Sequence, residues 1–305
     1  MPERSRDALA NRERYVFSPV KEGLWVTAFL LEELMAKPPG PLEVSLDLGI
    51  SFVHADLAER SGAYFLNIGS AELNLNFLSE LIRGRTTVFY SLNGSEWLPL
   101  EIRSTDNYYR LRAVGAYTAP TIEISGIHMH NIKDTTPWRD AARKVRLLRV
   151  RKGDFVLEIG TGLGYTAIHS VKCGARVLSI EKDENVLQLA RYNPWSRELE
   201  SSNINIVLAD ASEIVGELPD SSFDKIMHDP PTFALAGELY SEVFYRELYR
   251  VLKPGGTLFH YTGAPKSRRG IDLQRGIVRR LRAAGFYIQK VLEGYAVIAR
   301  KPRTV

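Results

Sequence analysis

The spacing of hydrophobic and polar positions divides the chain into two halves. Leu24–Met35 repeats apolar residues at helical spacing before Lys37-Pro38-Pro39-Gly40, which predicts a helix followed by a stop. From Leu42 to about Ile132, short β-branched and aromatic runs alternate with turn residues, and one helix is predicted near Glu72–Ile82. The predicted strands of this half are 42–48, 51–57, 63–68, 86–92, 98–103, 108–114 and 121–127. Residues 1–135 are therefore predicted to form an N-terminal helix and a small, mostly antiparallel β-rich domain, with a hairpin at Asn93-Gly94.

After Pro137 the pattern changes to an alternation of buried strands and amphipathic helices, beginning with a predicted helix at Trp138–Leu148. Candidate strands include Phe155–Ile159, Arg176–Ile180 and Ile204–Leu208, with helices between them. This alternation is typical of a parallel sheet covered by helices, which binds ligands beyond the carboxyl ends of its strands. Residues 136–305 are predicted to be this α/β domain.

Composition narrows the class of protein. The chain has 305 residues, 45% of them hydrophobic, a net charge of +4, and a single cysteine. The longest apolar run near the start, 25–31, is far too short to span a membrane, and the first fourteen residues are too charged for a signal peptide. We therefore expect a cytoplasmic protein with no membrane association. The basic excess suits a polyanionic partner without requiring one.

A glycine loop follows the first strand of the α/β half. It has the sequence Gly160-Thr161-Gly162-Leu163-Gly164, and Tyr165 stands where a dinucleotide fingerprint would place its last glycine. Glu181, Asp210 and Asp229 each follow a predicted strand of the same sheet. A carboxylate at the second strand end can accept hydrogen bonds from the ribose hydroxyls of a nucleoside. Three acids in register with one glycine loop favour a ligand site over helix caps alone.

This segment resembles the class I S-adenosylmethionine-dependent methyltransferases, which implies a Rossmann-like fold with a seven-stranded, mostly parallel sheet. The resemblance implies that Glu158 and the glycine loop cradle the methionine and ribose parts of S-adenosylmethionine, that Glu181 holds the ribose, and that Asp210 holds the adenine. The predicted cofactor-binding residues are Glu158, Gly160, Thr161, Gly162, Gly164, Tyr165, Glu181, Lys182, Asp210, Ala211 and Asp229.

Both halves also resemble a family of predicted archaeal methyltransferases. The motifs that carry this resemblance are 126–130, 162–165, 193–196, 228–231, 236–240 and 259–263.

The acceptor site is predicted at His228-Asp229-Pro230-Pro231-Thr232-Phe233. This segment resembles the Asp/Asn-Pro-Pro-aromatic signature of enzymes that methylate exocyclic amines of nucleobases, although Thr232 takes the usual aromatic position and Phe233 follows it. It also resembles motifs of ribosomal RNA methyltransferases that act on ring nitrogen or carbon. The predicted catalytic residues are His228, Asp229, Pro230, Pro231 and Phe233.

Other residues near the predicted strand ends are candidates for binding the substrate. A basic loop after the fifth strand would meet a nucleic-acid backbone, and aromatic residues could stack on a base. The predicted substrate-binding residues are Trp195, His260, Tyr261, Lys266, Arg268 and Arg269. Cys173 lies too far along the helix after the glycine loop to serve as a nucleophile. His128 and His130 are expected to be hydrogen-bonded structural residues in preference to metal ligands.

The leading hypothesis is a methyltransferase that acts on an exocyclic amine in rRNA or tRNA, with cytosine N4 slightly preferred. The β-rich half would help to hold the RNA. One alternative is methyl or aminopropyl transfer to a small molecule or a protein. Another is a ribosome-assembly factor that binds S-adenosylmethionine without turnover.

Overall fold

The computed structural model describes residues 14–231, 236–263 and 268–303, with the side chains of 268–272 left out. Its chain forms two compact units. The sheet unit consists of the described residues of Met1–Phe17, Ala141–Glu184 and Leu199–Val305, and the β-rich unit consists of Ser18–Asp140 and Asn185–Glu198. The units therefore interleave along the chain instead of dividing it at one point near residue 135.

In the sheet unit, the described residues form one sheet of eight strands in the order β1-β15-β14-β13-β16-β17-β19-β18. Strands β15, β14, β13, β16 and β17 are parallel, whereas β1, β19 and β18 pair antiparallel at the edges. These strands are β1 Arg14–Tyr15, β13 Phe155–Ile159, β14 Arg176–Glu181, β15 Ile204–Leu208, β16 Phe223–His228, β17 Leu252–Tyr261, β18 Tyr287–Leu292 and β19 Ala296–Arg300. The predicted seven-stranded sheet lacked β1, because a strand of two residues has too little hydrophobic alternation to be recognised in the sequence.

Apart from the helix that precedes β13, the helices of the sheet unit follow its parallel strands, as the alternating pattern predicts. Every residue of β13 is buried, so both faces of the sheet are covered at its centre. Buried side chains of β13, β16 and β17 pack with residues of the later helices in one hydrophobic core. The described helices are α3 Pro137–Leu148, which belongs to this unit from Ala141 onward, α4 Tyr165–Lys172, α6 Ala211–Ile214, α7 Glu242–Val251 and α8 Arg268–Ala283, with 3-10 turns at Val215–Glu217 and Gly237–Tyr240.

The β-rich unit contains three small sheets in its described residues, ordered β12-β11-β10-β9, β2-β7-β8 and β3-β4-β5-β6, and every pairing within them is antiparallel. Its strands are β2 Leu24–Val26, β3 Gly40–Val44, β4 Val53–Arg60, β5 Ala63–Ile68, β6 Ala71–Asn74, β7 Phe89–Ser91, β8 Leu98–Pro99, β9 Glu101–Arg103, β10 Tyr108–Arg112, β11 Thr121–Ile124 and β12 Ile127–His128. Its helices are α1 Ala28–Met35, α2 Leu75–Ile82 and α5 Glu184–Arg191 from its second residue, followed by a 3-10 helix at Pro194–Glu200 that belongs to this unit up to Glu198.

The predicted helix over Leu24–Met35 is wrong in its first third. Leu24–Val26 is strand β2, which pairs with β7, and helix α1 begins only at Ala28. Thr27 ends the strand and caps the helix, because its side-chain oxygen accepts a hydrogen bond from the Leu30 N–H at 3.1 Å. No helix among the described residues combines the length and hydropathy needed to cross a membrane.

Candidate active site

The glycine loop joins β13 to α4 at the carboxyl end of the sheet. Gly160, Gly162 and Gly164 have φ of +87°, +55° and +76°, a region that favours glycine. A Cβ on Gly160 would lie 2.9 Å from the Asp229 carbonyl oxygen, and one on Gly164 would lie 2.3 Å from Leu199. A Cβ on Gly162 would meet no atom within 4 Å, so the loop leaves open space at its middle glycine.

Glu158 lies on β13 directly before this loop and is 1% exposed. The hydroxyls of Thr166 and Ser179 each donate a short hydrogen bond to its carboxylate. Burial raises the pKa of Glu158 to about 7, against the opposing effect of the two hydroxyls, and the nearby charges of Asp229 and Glu181 add to the increase. The group therefore changes its charge near neutral pH.

Glu181 ends β14 and is tied to the glycine loop. Its Oε2 accepts a hydrogen bond from the Gly162 N–H at 2.9 Å, and its Oε1 accepts from the backbone N–H groups of Lys182 and Asp183. Burial raises the pKa of Glu181, although these three N–H groups act in the opposite direction. The carboxylate predicted to hold the ribose thus also holds the loop in shape.

Asp210 caps helix α6 at the end of β15. It accepts hydrogen bonds from the Ser212 N–H and hydroxyl, and its Oδ2 lies 2.6 Å from the Lys182 ammonium. Partial burial raises the pKa of Asp210, but Lys182 and Ser212 outweigh it, so the net shift is downward. Asp210 therefore caps a helix in addition to its predicted contact with adenine.

The remaining predicted cofactor residues surround this loop. Thr161 is buried, with its hydroxyl 2.7 Å from that of Ser179. Tyr165 and Ala211 are buried first residues of helices α4 and α6. A turn of left-handed glycines with open space above it, bordered by acids at two neighbouring strand ends, fits a nucleoside attached to an amino acid.

Asp229 follows β16 and lies against the glycine loop. Its N–H donates to the Ile159 carbonyl at 3.2 Å, and its Oδ2 lies 2.6 Å from the Lys144 ammonium of helix α3. Pro230 is buried, and the exposed Pro231 offers its carbonyl to the Tyr240 hydroxyl at 2.7 Å. The Asp-Pro-Pro segment is thus fixed on both sides. Thr232 and Phe233 lie outside the described residues.

His228 and His260 end the neighbouring strands β16 and β17, and both are fully buried. Their ring centroids are 4.3 Å apart. His228 Nε2 donates to the Leu239 carbonyl at 3.0 Å, and His260 Nε2 lies 2.8 Å from the Tyr245 hydroxyl. Burial lowers the pKa of His228 to about 3 and that of His260 well below its usual value, so both imidazoles are neutral at neutral pH.

The predicted stacking residues have neighbours of their own. The Lys144 ammonium lies 4.1 Å from the ring centroid of Tyr261, and the Tyr295 ring meets Tyr261 edge-on at 5.5 Å. Trp195 lies in the β-rich unit, where its indole N–H donates to the Leu48 carbonyl and its ring packs 5.0 Å from that of Trp138. Arg268 and Arg269 begin helix α8, and Lys266 lies outside the described residues.

Lys144 and Tyr240 also lie in the candidate site, and neither was predicted from the sequence. Lys144 shares one side of helix α3 with the buried residues Ala141, Val145 and Leu148, at spacings of three and four. A lysine in an apolar stripe is a signal for a buried partner. Tyr240 lies in the motif 236–240, but nothing in that motif predicts a hydrogen bond to Pro231.

Known proteins similar to this chain indicate its class. A family described as "Methyltransferase domain" matches residues 157–260. Ribosomal protein L11 methyltransferase of Shouchella clausii is 31% identical over 160 residues, which cover 50% of this chain and 45% of that protein. Among solved structures, spermidine synthase from Thermotoga maritima superposes on 70% of this chain and 77% of its own chain, with a TM-score of 0.52 and 20% identity. This likeness shows the fold alone.

Together, the fold, the site and these matches define an S-adenosylmethionine-dependent methyltransferase. More narrowly, a protein of Methanocaldococcus jannaschii, "Uncharacterized protein MJ1233", is 39% identical over 281 residues, which cover 92% of this chain and 96% of that protein. The chain belongs to the family of this archaeal protein.

Proposed function

We propose that the protein methylates an exocyclic amine of a base in rRNA or tRNA, with cytosine N4 slightly preferred over adenine N6 and guanine N2. The observation that carries the proposal is the position of Asp229-Pro230-Pro231. Its backbone lies so close to Gly160 that a single Cβ would not fit between them. An amine bound at this segment would therefore adjoin the glycine loop.

The chemistry of an aromatic amine explains the need for such a segment. The nitrogen lone pair is delocalised into the ring, so the amine is a weak nucleophile. Hydrogen bonds from its N–H groups to the Asp229 carboxylate and the Pro230 carbonyl would draw the nitrogen toward tetrahedral geometry. Because S-adenosylmethionine supplies a methyl group already activated on a sulfonium, the residues of this chain mainly have to align the acceptor.

The proline pair and Tyr240 support this alignment. Proline fixes φ and removes a backbone donor, which stiffens the segment. The Tyr240 hydroxyl holds the Pro231 carbonyl, and the Arg280 guanidinium in turn holds the Tyr240 carbonyl at 2.8 Å. Pro230 lies between Asp229, which is bonded to Ile159 and Lys144, and Pro231, which is bonded to Tyr240. An acceptor amine would thus meet the Asp229 carboxylate and the Pro230 carbonyl in a segment held at both ends before it binds.

RNA is the proposed partner, with the β-rich unit as a second contact. One face of the β9–β12 sheet carries Arg110, Arg112 and His128, all bonded to the buried carboxylate of Glu123 at 2.8–3.0 Å. Burial raises the pKa of Glu123, but the two arginines outweigh it and the net shift is downward, so the carboxylate stays ionised. Two guanidinium groups held side by side in this way suit contact with phosphates.

The direct test is transfer of labelled methyl groups to total RNA from cells that lack the gene. Mass spectrometry of the nucleosides should then show one methylated base that the wild-type protein restores and Asp229→Ala does not. Absence of transfer to any RNA by folded, cofactor-binding protein would refute the proposal.

Aminopropyl transfer is a second candidate, because the fold is similar to that of spermidine synthase. A polyamine acceptor is a cation, and the Lys144 ammonium beside Asp229 opposes its approach. Incubation with decarboxylated S-adenosylmethionine and putrescine decides between them, since formation of spermidine would favour this second candidate.

A further inference from the structure

Lys144 is an ammonium group enclosed in the candidate active site. Its side chain is 3% exposed, on the side of helix α3 that also buries Val145 and Leu148. An ammonium in such surroundings is costly unless it is paired. Asp229 Oδ2 provides the pair at 2.6 Å, and the Tyr261 ring provides a cation–π contact at 4.1 Å.

The position of this ammonium is fixed from several sides. The neighbouring Arg143 lies 4.1 Å from the ring centroid of Tyr295, and the Tyr295 ring meets Tyr261 edge-on. Two consecutive basic residues of α3 thus cover two tyrosines in contact. Asp229 and Tyr261 stand at the carboxyl ends of the adjacent parallel strands β16 and β17, where α/β sheets bind their ligands.

We propose that Lys144 selects the acceptor by charge, admitting a neutral amine to Asp229 and excluding a cationic one. The proposal rests on the proposed function in one respect, namely that the acceptor amine is brought to Asp229. Glu158, Glu181 and Asp229 would together attract a polyamine or a protonated lysine side chain. The Lys144 ammonium neutralises Asp229, and a second ammonium bonded to the same carboxylate would lie close to a like charge.

An exocyclic amine of a nucleobase escapes this repulsion. Its lone pair is delocalised into the ring, so the amine is unprotonated and neutral at neutral pH. It can therefore donate an N–H to Asp229 without electrostatic repulsion from the Lys144 ammonium. The same ion pair therefore admits one class of amine and rejects another. This is negative selection, because the acceptor is chosen by what the site repels.

The experiment measures spermidine binding to full-length protein loaded with S-adenosylhomocysteine, by calorimetry at low salt and pH 7.5. Lys144→Met should bind spermidine more tightly than the wild type by about ten-fold or more, because the repulsion is gone. Lys144→Arg should behave like the wild type, since it keeps the charge. Arg143→Met is the matched control, because it removes the neighbouring cation–π contact while leaving Asp229 paired, and it should show no gain.

Further variants separate a charge effect from damage to the fold. Lys144→Gln is neutral but can still donate a hydrogen bond to Asp229, so it tests charge if Lys144→Met does not fold. Adding Asp229→Asn to either neutral variant should abolish the gain in affinity. Equal spermidine affinity in the wild type and a folded neutral variant would overturn the proposal, as would an equal gain in Arg143→Met.

This outcome is independent of RNA methylation. If the wild type methylates no RNA, the proposed function fails, and spermidine binding still decides the charge selection. If it does methylate RNA, spermidine should inhibit Lys144→Gln at concentrations about ten-fold lower than it inhibits the wild type. Inhibition of both proteins at the same concentration would contradict the proposal.

Discussion

Glu158 is a carboxyl group enclosed by protein, and its charge affects folding. Burial raises its pKa from an ordinary value of 4.5 to about 7. Its stabilising contribution is complete below pH 4.5 and is lost as pH rises to about 7, because the unfolded chain ionises first. Glu158→Gln should remove this loss, which amounts to about 3 kcal/mol. Urea unfolding between pH 4.5 and 8 measures it, and an unchanged pH dependence in the variant would contradict the assignment.

The buried histidines His228 and His260 have the opposite effect on the pH dependence of folding, because they lower stability as the pH falls. Burial lowers the pKa of His228 to about 3, and that of His260 falls well below 6.5. Their stabilising contribution is complete above pH 6.5 and is lost as pH falls, because only the unfolded chain takes up the protons. In the Glu158→Gln background, lowering the pH from 7 to 5 should cost about 2 kcal/mol for His228, and the loss from His260 has the same sign.

The histidine prediction can be tested by replacing one ring. His228→Gln keeps a donor for the Leu239 carbonyl and removes the titrating group. The free energy of unfolding of this variant should depend on pH with a slope smaller by about one proton between pH 5 and 6.5. An unchanged slope would mean that the His228 imidazole is protonated in the folded state as well.

Single residues were placed in the candidate site from the sequence where a local rule applies to them. Glu181 and Asp229 were identified because each follows a strand, and strand ends share one edge of a parallel sheet. Lys144 was not identified, because its contact joins residues distant along the chain, 85 positions apart for Lys144 and Asp229. Tyr240 was not identified either, although Pro231 is only nine positions away, because no local rule predicts their hydrogen bond. The burial of His228 and His260 also depends on the packed sheet, which no local pattern specifies.

At the scale of one element, two glycines of the loop should differ in their effects: one mainly on folding stability and the other mainly on cofactor binding. Gly164→Ala should destabilise the protein by about 3 kcal/mol, because a Cβ there meets Leu199 at 2.3 Å in a left-handed conformation. Gly162→Ala should cost only about 1 kcal/mol, since its Cβ enters open space. That space is where the cofactor is predicted to lie, so Gly162→Ala should weaken S-adenosylmethionine binding about ten-fold or more.

Thermal unfolding and calorimetric titration distinguish the two glycine variants. If Gly162→Ala bound S-adenosylmethionine as tightly as the wild type, the middle of the loop would not be the cradle.

Helices and strands were predicted most accurately where one hydrophobic spacing continues along the whole element. Helix α3 begins at Pro137, one residue before its predicted start, and strand β5 matches its predicted range. The predicted helix over Leu24–Met35 merged a strand with a helix, because three apolar residues before Thr27 fit either period. The structure resolves this ambiguity through the pairing of Trp25 with Tyr90, which lies 65 residues further along the chain.

At the scale of the whole molecule, the sequence predicted the α/β half but not how the units share the chain. Arg14–Tyr15 adds an edge strand to the large sheet through pairing with β15. Residues 185–198 group with the β-rich unit, although the strands on either side of them belong to the sheet unit. Hydrophobic periodicity identifies elements, whereas this grouping depends on contacts between distant segments.

Expression of residues 136–305 alone tests this organisation. Such a fragment keeps seven strands of the sheet but removes the partners of residues 185–198. In the full chain, the Trp25 indole N–H donates to the Tyr192 carbonyl at 2.6 Å, and the Arg191 guanidinium donates to the Ser18 carbonyl at 2.8 Å. Without these partners the fragment should unfold at a lower urea concentration than the full chain and bind S-adenosylmethionine more weakly.

The matched control is the full chain with a protease site inserted after Asp134, cut after folding. This protein has lost the same peptide connection but retains residues 18–134 to pack against 185–198, so it should keep its urea midpoint and its affinity for S-adenosylmethionine. If the fragment alone matched the full chain in both measurements, residues 185–198 would need nothing from the N-terminal half. A fragment that fails beside a cut chain that survives would show that the methyltransferase half depends on residues 14–134, which supply strand β1 as well as these contacts.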